Sequence, residues 1–329
     1  MTAVPGPRVV ALGGGHGLAA ALRALTQVTD RLTAVVTVAD DGGSSGRLRQ
    51  EFDALPPGDL RMALAALASD DAWSSSWERA IQHRFPGPGE LGGHAVGNLL
   101  LTALAQTSPG GVVEALDLVG RLVGARGRVL PASCSPLQIE AEVVGLAPGR
   151  RTVVTGQVAV ATTAGTVAAL RLLPDDPPAC PEAVEAVLAA DHVVLGPGSW
   201  FTSVLTHLLV PDLRDALVAT AARTTVVLNL APQAGETDGF SPETYLEVLA
   251  SFAPELQVDV VVADDTAVVD RRGLMSVVES LGARMLLAPL SLGDGTPRHD
   301  PTRLAGALRR AFEPAPTSPP HPRSAQTWR

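Results

Sequence analysis

The chain contains no lysine, because all 25 of its basic residues are arginine. Chemistry that depends on lysine, such as Schiff-base formation or the phosphate-binding loop G-x-x-x-x-G-K-[ST], is therefore excluded. Aromatic residues make up only 3% of the chain, so a hydrophobic content of 46% must come mainly from aliphatic side chains. With 329 residues, the chain is long enough to bury a large aliphatic core.

Cysteine is nearly absent as well. Cys134 and Cys180 are far apart in the sequence and belong to no C-x-x-C or Cys/His cluster, so the sequence supports neither a disulfide framework nor a structural zinc site. This usage is typical of a reducing compartment and predicts a cytoplasmic protein. The net charge of −9 argues against non-specific binding to nucleic acid, which requires a basic surface.

Long hydrophobic runs are missing too. Stretches such as 99–104 fall well short of the roughly 20 apolar residues that span a bilayer, and residues 1–7 show no signal-peptide pattern. We therefore expect a soluble protein without a membrane partner. Residues 314–329 are rich in proline and are predicted to form a disordered tail, whereas residues 1–313 are predicted to form one α/β domain.

Two apolar runs that end in polar loops carry the strongest functional signal. Residues 9–12 run into glycines and a helical pattern, and residues 32–39 run into two carboxylates and a glycine-serine loop with two arginines. A right-handed strand-helix-strand unit places both loops at the carboxyl edge of one sheet. Glycines admit a phosphate closely, while helix N–H groups and guanidinium groups donate to it. The pattern predicts a site for a phosphorylated ligand.

The same alternation continues along the chain and predicts a doubly wound, mostly parallel, Rossmann-like α/β sheet. Further strands are predicted at 192–195, 225–228, 258–263 and 285–287. Between about 128 and 173, short β-branched runs separated by glycine turns predict a small antiparallel excursion, with 158–161 as one of the runs. A helix is predicted to begin near Thr202.

Polar residues in the remaining loops extend the candidate site. Asp59 stands where a helix N-cap belongs, and Arg61 either pairs with it or faces the crevice. Asn98 and Asn229 fit either local turn chemistry or a hydrogen bond to a base or ribose. Glu236 fits either a solvated acidic loop or a contact with a sugar hydroxyl.

The predicted ligand-binding residues are therefore glycines, hydroxyl-bearing residues, acids, amides and arginines at the loop ends: Gly13, Gly14, Gly15, His16, Gly17, Asp40, Asp41, Gly42, Gly43, Ser44, Ser45, Arg47, Asp59, Arg61, Asn98, Gly196, Gly198, Ser199, Asn229, Glu236 and Thr237. Asp40 and Asp41 are candidate ligands for Mg²⁺; the alternative is that one caps the loop and the other is solvated. A nicotinamide dinucleotide site is disfavoured, because Leu18 occupies the third glycine position of G-x-G-x-x-G.

These segments resemble, in order and wording, the gluconeogenesis factor family of YvcK-like proteins, which belongs to the CofD-like superfamily together with the phospholactate transferases. The resemblance extends over roughly residues 9–289. The motifs that carry it are Gly13-Gly14-Gly15 with Gly17-Leu18, the run from Ala39 to Arg49, Pro56-Pro57-Gly58-Asp59-Leu60-Arg61, Gly97-Asn98-Leu99, Gly196-Pro197-Gly198-Ser199 and Gly235-Glu236-Thr237-Asp238-Gly239.

The resemblance implies a cytoplasmic bacterial protein with a Rossmann-like CofD fold, associated with growth on gluconeogenic carbon, cell shape and cell-wall synthesis. Members of the family bind uridine-diphosphate sugars, so a regulatory nucleotide-sugar-binding protein is the leading interpretation. The related transferases use a divalent metal at an acidic strand end, where Asp40 and Asp41 stand here. A metal-dependent transferase of a nucleotide-activated phosphorylated small molecule is the alternative, and a homo-oligomer is left open.

Several positions depart from the family pattern. His16 stands where threonine is expected, Met62 where asparagine follows the Asp-x-Arg triplet, and His207 where the helix usually carries asparagine. The phosphate-facing glycines are retained. The departures therefore affect the prediction of which base or sugar is bound, and they affect the predicted fold less.

Overall fold

A computed structural model describes residues 5–147 and 149–314 of the chain. Its strands, numbered in chain order, are β1 (Arg8–Gly13), β2 (Arg31–Val36), β3 (Arg128–Pro131), β4 (Gln138–Ala147), β5 (Arg150–Thr155), β6 (Thr166–Leu173), β7 (His192–Leu195), β8 (Arg223–Val227), β9 (Val260–Asp264) and β10 (Arg284–Ala288). Seven of them form a parallel sheet in the order β3-β2-β1-β7-β8-β9-β10. The strand order reverses between β1 and β7, as in Rossmann-like folds.

Helices connect the strands. They are α1 (Gly15–Leu25), α2 (Gly43–Phe52), α3 (Gly58–Leu67), α4 (Ala72–Gln82), α5 (Val96–Thr107), α6 (Gly111–Leu122), α7 (Gln157–Ala161), α8 (Pro181–Leu188), α9 (Pro211–Ala219), α10 (Pro242–Phe252), α11 (Arg271–Ser280) and α12 (Pro301–Phe312). The segment after β7 is an irregular helix, with π-type turns over Trp200–Val204 and 3₁₀-type turns over Leu205–Leu209. Among the described residues, no helix is both long and apolar enough to cross a membrane.

The core has the aliphatic character that the composition predicts. Central strands such as β7 and β9 are buried along their whole length, which is typical of a parallel sheet covered by helices on both faces. Several helices begin at a capping side chain: Asp71, for example, accepts the backbone N–H groups of Trp73 and Ser74 at the start of α4. The predicted fold class is confirmed, whereas most of the predicted proline-rich tail lies outside the described residues.

The antiparallel excursion is confirmed with different bounds. It is a three-stranded sheet in the order β5-β4-β6 and begins at Gln138 rather than near residue 128. Residues 128–131 pair in parallel with β2 and form the edge of the main sheet. The run 158–161, predicted to be extended, belongs to α7, because the Asp41 carboxylate accepts the Val158 N–H at 3.0 Å and so supports the start of this helix.

The glycine-serine stretch after β2 was predicted to be a loop, which is wrong: residues from Gly43 onward form α2. Glycine and serine are poor in a helix interior, but the first turn tolerates them because its N–H groups need no intrahelical partner. The predicted capping role of Asp59 is also wrong. Pro57 is the N-cap of α3, and Asp59 lies in its first turn, beside Gly14 and Gly15 of the first glycine loop.

Gly17 provides a test of the packing between α1 and the loop after β7. A Cβ at Gly17 would lie 2.3 Å from the Pro197 carbonyl oxygen and 2.5 Å from Gly198 Cα, both of them backbone atoms. We expect Gly17→Ala to lower the free energy of unfolding by at least about 2 kcal/mol, as overpacking does. The matched control Gly306→Ala, in α12 with no atom within 4 Å of the new Cβ, should raise it by about 0.5 kcal/mol. Urea denaturation of both variants measures the difference, and equal stabilities would contradict the packing.

The burial of His207 is expected to make the folded protein sensitive to acid. Its ring is fully buried, with Nε2 3.1 Å from the Val35 carbonyl oxygen, and burial lowers its pKa to about 4. The unfolded chain therefore binds the proton more readily between about pH 4 and 6.5, so stability is present above this window and is lost as the pH falls through it. Across this window, we expect the free energy of unfolding to fall by about 3 kcal/mol because of His207.

The pH dependence of urea unfolding checks this expectation. His207→Asn should flatten the profile between pH 4 and 6.5. Burial also lowers the pKa of His299 to about 4, so part of the acid sensitivity should remain. Identical profiles of His207→Asn and the parent chain would reject the assignment.

Candidate functional site

The candidate site lies where the ends of β1, β2 and β7 meet at the carboxyl edge of the sheet. The Thr37 N–H donates to the Gly13 carbonyl at 3.0 Å, and the Gly196 N–H approaches the Leu12 carbonyl at 3.3 Å. The loops after the three strands are therefore neighbours. In open α/β sheets, the reversal of strand order opens a crevice at this edge, and ligands bind there. We call the space bordered by these loops the switch crevice.

Two helices begin at the switch crevice without a capping side chain. The N-cap residues are Gly14 for α1 and Gly42 for α2, and neither has a side-chain acceptor. Gly15, at the first position of α1, has a φ of +58°, which favours glycine. Unpaired N–H groups and the helix dipole make such a terminus a site for anions. His16 is exposed in the first turn of α1, and Gly43 is exposed at the start of α2.

Two carboxylates lie between these helix ends. A Cβ at Gly14 would lie 2.6 Å from Asp59 Oδ2, and a Cβ at Gly58 would lie 2.8 Å from Asp40 Oδ2, so both carboxylates border the glycine loops. Burial, and after it the nearby charge of Asp40, raises the pKa of Asp59 to about 7. The Gly42 N–H donates to Asp40 Oδ1 at 2.9 Å. Asp40 and Asp59 therefore form an acidic pair at the floor of the crevice.

Arg61 supplies the positive charge next to this pair. It is only 4% exposed, and its Nε donates to Asn98 Oδ1 at 2.8 Å. Burial lowers its pKa to about 10, whereas Asp59 and Asp40 act in the opposite direction, so the guanidinium is charged at neutral pH. Since Nε is held by Asn98, the terminal nitrogens are oriented as a fixed fork, which suits a phosphate.

A chain of buried hydrogen bonds continues from Arg61 to the start of α2. Asn98 Nδ2 donates to Ser44 Oγ at 3.0 Å, and Ser44 Oγ lies 2.9 Å from His94 Nδ1. Ser45 Oγ accepts the Gly58 N–H at 3.0 Å. Both predicted serines are thus buried and used by the protein itself. They fix the orientation of α2 relative to α3 and α5, and their backbone N–H groups belong to the uncapped first turn.

Two predicted residues point away from the acidic pair. Asp41, predicted as a metal ligand beside Asp40, binds Val158 of α7 instead, and a Cβ at Gly156 would lie 2.2 Å from its other oxygen. Arg47 donates to the carbonyl oxygens of Glu90 at 3.2 Å and Gly92 at 2.8 Å. Asp59 rather than Asp41 is therefore the partner of Asp40, and Arg47 holds the 85–94 loop.

The loop after β7 is filled by side chains of the protein. Asn229 clamps the Gly198 backbone, accepting its N–H at 2.9 Å and donating to its carbonyl at 2.8 Å. The Glu236 carboxylate accepts the Phe201 and Thr202 N–H groups at 3.0 Å and the Ser199 hydroxyl at 2.5 Å. Burial raises the pKa of Glu236. An internal carboxylate thus takes the place of an anion at this helix start, where Gly198 and Ser199 were predicted to bind the ligand.

Thr237 is likewise internal: it is fully buried, and its hydroxyl lies 2.9 Å from the Tyr245 hydroxyl. Two crevice residues were missed by the sequence analysis. A Cβ at Gly14 would lie 2.6 Å from Thr37 Cγ2 and 3.1 Å from Ser203 Oγ, so both side chains border the first glycine loop. Thr37 directly follows β2, and this position was the available signal. Nothing in the sequence placed Ser203, which belongs to the irregular helix.

The parallel sheet with its reversal between β1 and β7 defines a Rossmann-like α/β protein. The family described as 2-phospho-L-lactate transferase CofD matches residues 9–279, so the chain belongs to the CofD family. A gluconeogenesis factor from Listeria monocytogenes is 36% identical over 315 residues, which cover 92% of this chain and 94% of that protein. A Mycobacterium tuberculosis protein, provisionally named a gluconeogenesis factor, is 54% identical over 306 residues (91% and 89%).

A crystal structure supports the same assignment. A member of the UPF0052 family from Bacillus halodurans superimposes with a TM-score of 0.83 at 33% identity and covers 93% of this chain and 99% of that one. Fold and sequence therefore agree over nearly the whole chain.

Proposed function

We propose that the protein is a gluconeogenesis factor that binds a uridine-diphosphate sugar and couples carbon supply to cell-wall synthesis and cell shape. The observation that carries this proposal is the pair of uncapped helix starts, α1 and α2, which face one crevice beside the charged Arg61. A diphosphate carries two anionic groups, and two helix N-termini with a guanidinium fork match it. The names of the relatives support the link to gluconeogenesis.

A divalent cation fits the same crevice. Among the described residues, no cluster of three or more His, Cys, Asp or Glu side chains forms a protein-only metal cage. Mg²⁺ is commonly bound through one or two carboxylates together with water and substrate phosphates, and the Asp40 and Asp59 pair offers this donor set. Bound there, Mg²⁺ would neutralise charge between the acidic pair and the diphosphate. We therefore place the metal role on Asp40 with Asp59, and not with Asp41.

The uncharged part of the ligand has room at the same edge. A cavity of about 370 Å³ opens beside Asn229 and is lined largely by apolar side chains that include Leu230, Phe240 and Tyr245. Ligand pockets commonly combine such apolar walls with a few polar groups, at volumes of about 300–1,000 Å³. We propose that the base or the sugar occupies this cavity, with Asn229 at its border holding the backbone of Gly198.

A metal-dependent transferase is the second candidate, and a specific observation favours it. The pKa of Asp59 is raised to about 7 by burial and by Asp40, and such perturbed carboxylates are concentrated at catalytic sites. In this alternative, Asp59 exchanges a proton near neutral pH while Arg61 stabilises the charge of a transferring phosphoryl group. The description of the matching family as a transferase agrees with this alternative.

Calorimetric and thermal-shift titrations with uridine-diphosphate sugars, guanosine nucleotides and nicotinamide dinucleotides, each with and without Mg²⁺, separate the candidates. Ligand at about 100 times its dissociation constant should add roughly 2.7 kcal/mol of stability. If the protein is a regulator, a uridine-diphosphate sugar should stabilise it and no product should form. If the protein is a transferase, stabilisation should depend strictly on Mg²⁺, and a product should form when a phosphorylated acceptor is supplied. Stabilisation by nicotinamide dinucleotides alone would reject both.

A further inference from the structure

The structure brings together the only two cysteines of the chain. Cys134 is exposed in the segment 132–137 that follows β3, and Cys180 is buried directly before α8. The Cys180 N–H donates to the carbonyl oxygen of Ala132 at 3.0 Å, which holds the two segments side by side. Each thiol is among the groups that shift the pKa of the other, so the two side chains are neighbours. Their distance in the sequence gave no sign of this pairing.

The surroundings of the two thiols differ in a way that divides their chemistry. Interaction with Cys180 lowers the pKa of Cys134, so the exposed sulfur forms a thiolate more readily. The same interaction, together with burial, raises the pKa of Cys180, which keeps its proton. The Cys180 thiol donates to Glu182 Oε2 at 3.2 Å. An accessible thiolate beside a second, protected thiol is the arrangement of redox-sensing cysteine pairs.

We propose that Cys134 and Cys180 form a reversible intramolecular disulfide when the protein meets a peroxide. The Cys134 thiolate attacks one oxygen of hydrogen peroxide, which breaks the O–O bond, oxidises Cys134 to a sulfenic acid and, with a proton from solvent, releases water. Cys180 sulfur then attacks the sulfenic sulfur, its proton passes to Glu182, and hydroxide leaves and is protonated to water. In sum, two thiols and one hydrogen peroxide give one disulfide and two waters.

The position of the pair relates it to the switch crevice. The Leu137 N–H approaches the Val38 carbonyl at 3.3 Å, and Arg49 of α2 donates to the Leu137 carbonyl at 2.6 Å. The segment that carries Cys134 thus contacts both the end of β2 and the helix that begins at the crevice. Disulfide formation ties this segment covalently to the start of α8. The proposal stands on the cysteine pair alone and does not depend on the proposed ligand.

Oxidation of the full-length chain tests the proposal. Reduced protein is treated with stoichiometric hydrogen peroxide. The number of free thiols, the intact mass and the mobility in a non-reducing electrophoresis gel are then measured. We expect the thiols to fall from two to none per chain, a mass decrease of about 2 Da from the two lost hydrogens, and migration as a single chain. Dithiothreitol should restore both thiols. Sulfinic or sulfonic acid at Cys134, or disulfides only between chains, would overturn the proposal.

Variants assign the two roles. In Cys180→Ser, oxidation should stop at the sulfenic acid of Cys134, which dimedone traps, whereas Cys134→Ser should leave Cys180 unreacted under the same treatment. Glu182→Gln should prolong the life of the sulfenic acid several-fold without slowing its formation, because the charge of Glu182 raises the pKa of Cys134. A purely structural role would not produce this split. Equal reactivity of the two cysteines in the single variants would reject the division between them.

Discussion

Arg61→Met should weaken binding of a uridine-diphosphate sugar at least about 100-fold, because Arg61 is the buried cation beside the acidic pair. The substitution keeps much of the side-chain volume but removes the fork that Asn98 holds at 2.8 Å. It also leaves Asp40 and Asp59 without their neutralising neighbour. Breaking a buried charge arrangement of this kind typically costs about 3 kcal/mol of stability. Calorimetric titration measures the first effect and urea denaturation the second.

Two further variants make the Arg61 result specific. Arg128→Met removes an arginine that pairs with Asp117 at 2.9 Å. Arg128 begins β3 and therefore lies at the edge of the sheet opposite the crevice, so ligand affinity should not change. Arg61→Lys should give an intermediate affinity, since it retains the charge but not the fork. Parent-like affinity of folded Arg61→Met would exclude Arg61 from the site.

Asp59→Asn should stabilise the metal-free protein at pH 8 while weakening ligand binding in the presence of Mg²⁺. Because the folded pKa of Asp59 is about 7, the folded protein holds the proton more tightly than the unfolded chain between about pH 4 and 7. Stability due to the protonated form is therefore present at low pH and is lost as the pH rises through 7. Asparagine imitates the neutral form, and its advantage should reach up to about 4 kcal/mol at pH 8.

Urea unfolding of parent and Asp59→Asn from pH 4 to 8, with chelator present, measures this effect. The difference between the two proteins should be small at pH 4 and should grow until the pH exceeds 7. Asp41→Asn is the matched control, since Asp41 binds α7 rather than the acidic pair, and it should show no stabilisation. A destabilised Asp59→Asn at pH 8 would contradict the account of the acidic pair.

Strand positions and the shared edge of the loops were predictable from the sequence because they depend on local patterns. The β7 bounds match the prediction, and the glycines after β1 and the acids after β2 mark the ends of buried apolar runs. Helix α2 was missed because its first turn contains glycine and serine, whose low helix propensity is typical of loops. The edge strand β3 was assigned to the excursion because its short apolar run suits either sheet.

The partners of individual site residues were not predictable, because each contact joins residues far apart in the sequence. Glu236 and Asn229 were predicted to bind the ligand, with a solvated loop and local turn chemistry as the respective alternatives. Both bind the backbone of the loop after β7. Asp59 was assigned as a cap from its position before a helix, yet its place beside Asp40 and Gly15 follows from the packing of α3 against α1. The sequence identified the correct loops but not which polar groups the protein uses itself.

A crystal structure of the protein with a uridine-diphosphate sugar and Mg²⁺ tests the central claim most directly. The account predicts that the diphosphate lies within hydrogen-bond distance of backbone N–H groups in the first turns of α1 and α2, with Arg61 on its oxygens and Mg²⁺ between it and Asp40 and Asp59. A diphosphate seated on the Gly198 loop in place of the Glu236 carboxylate, or bound outside the switch crevice, would contradict it.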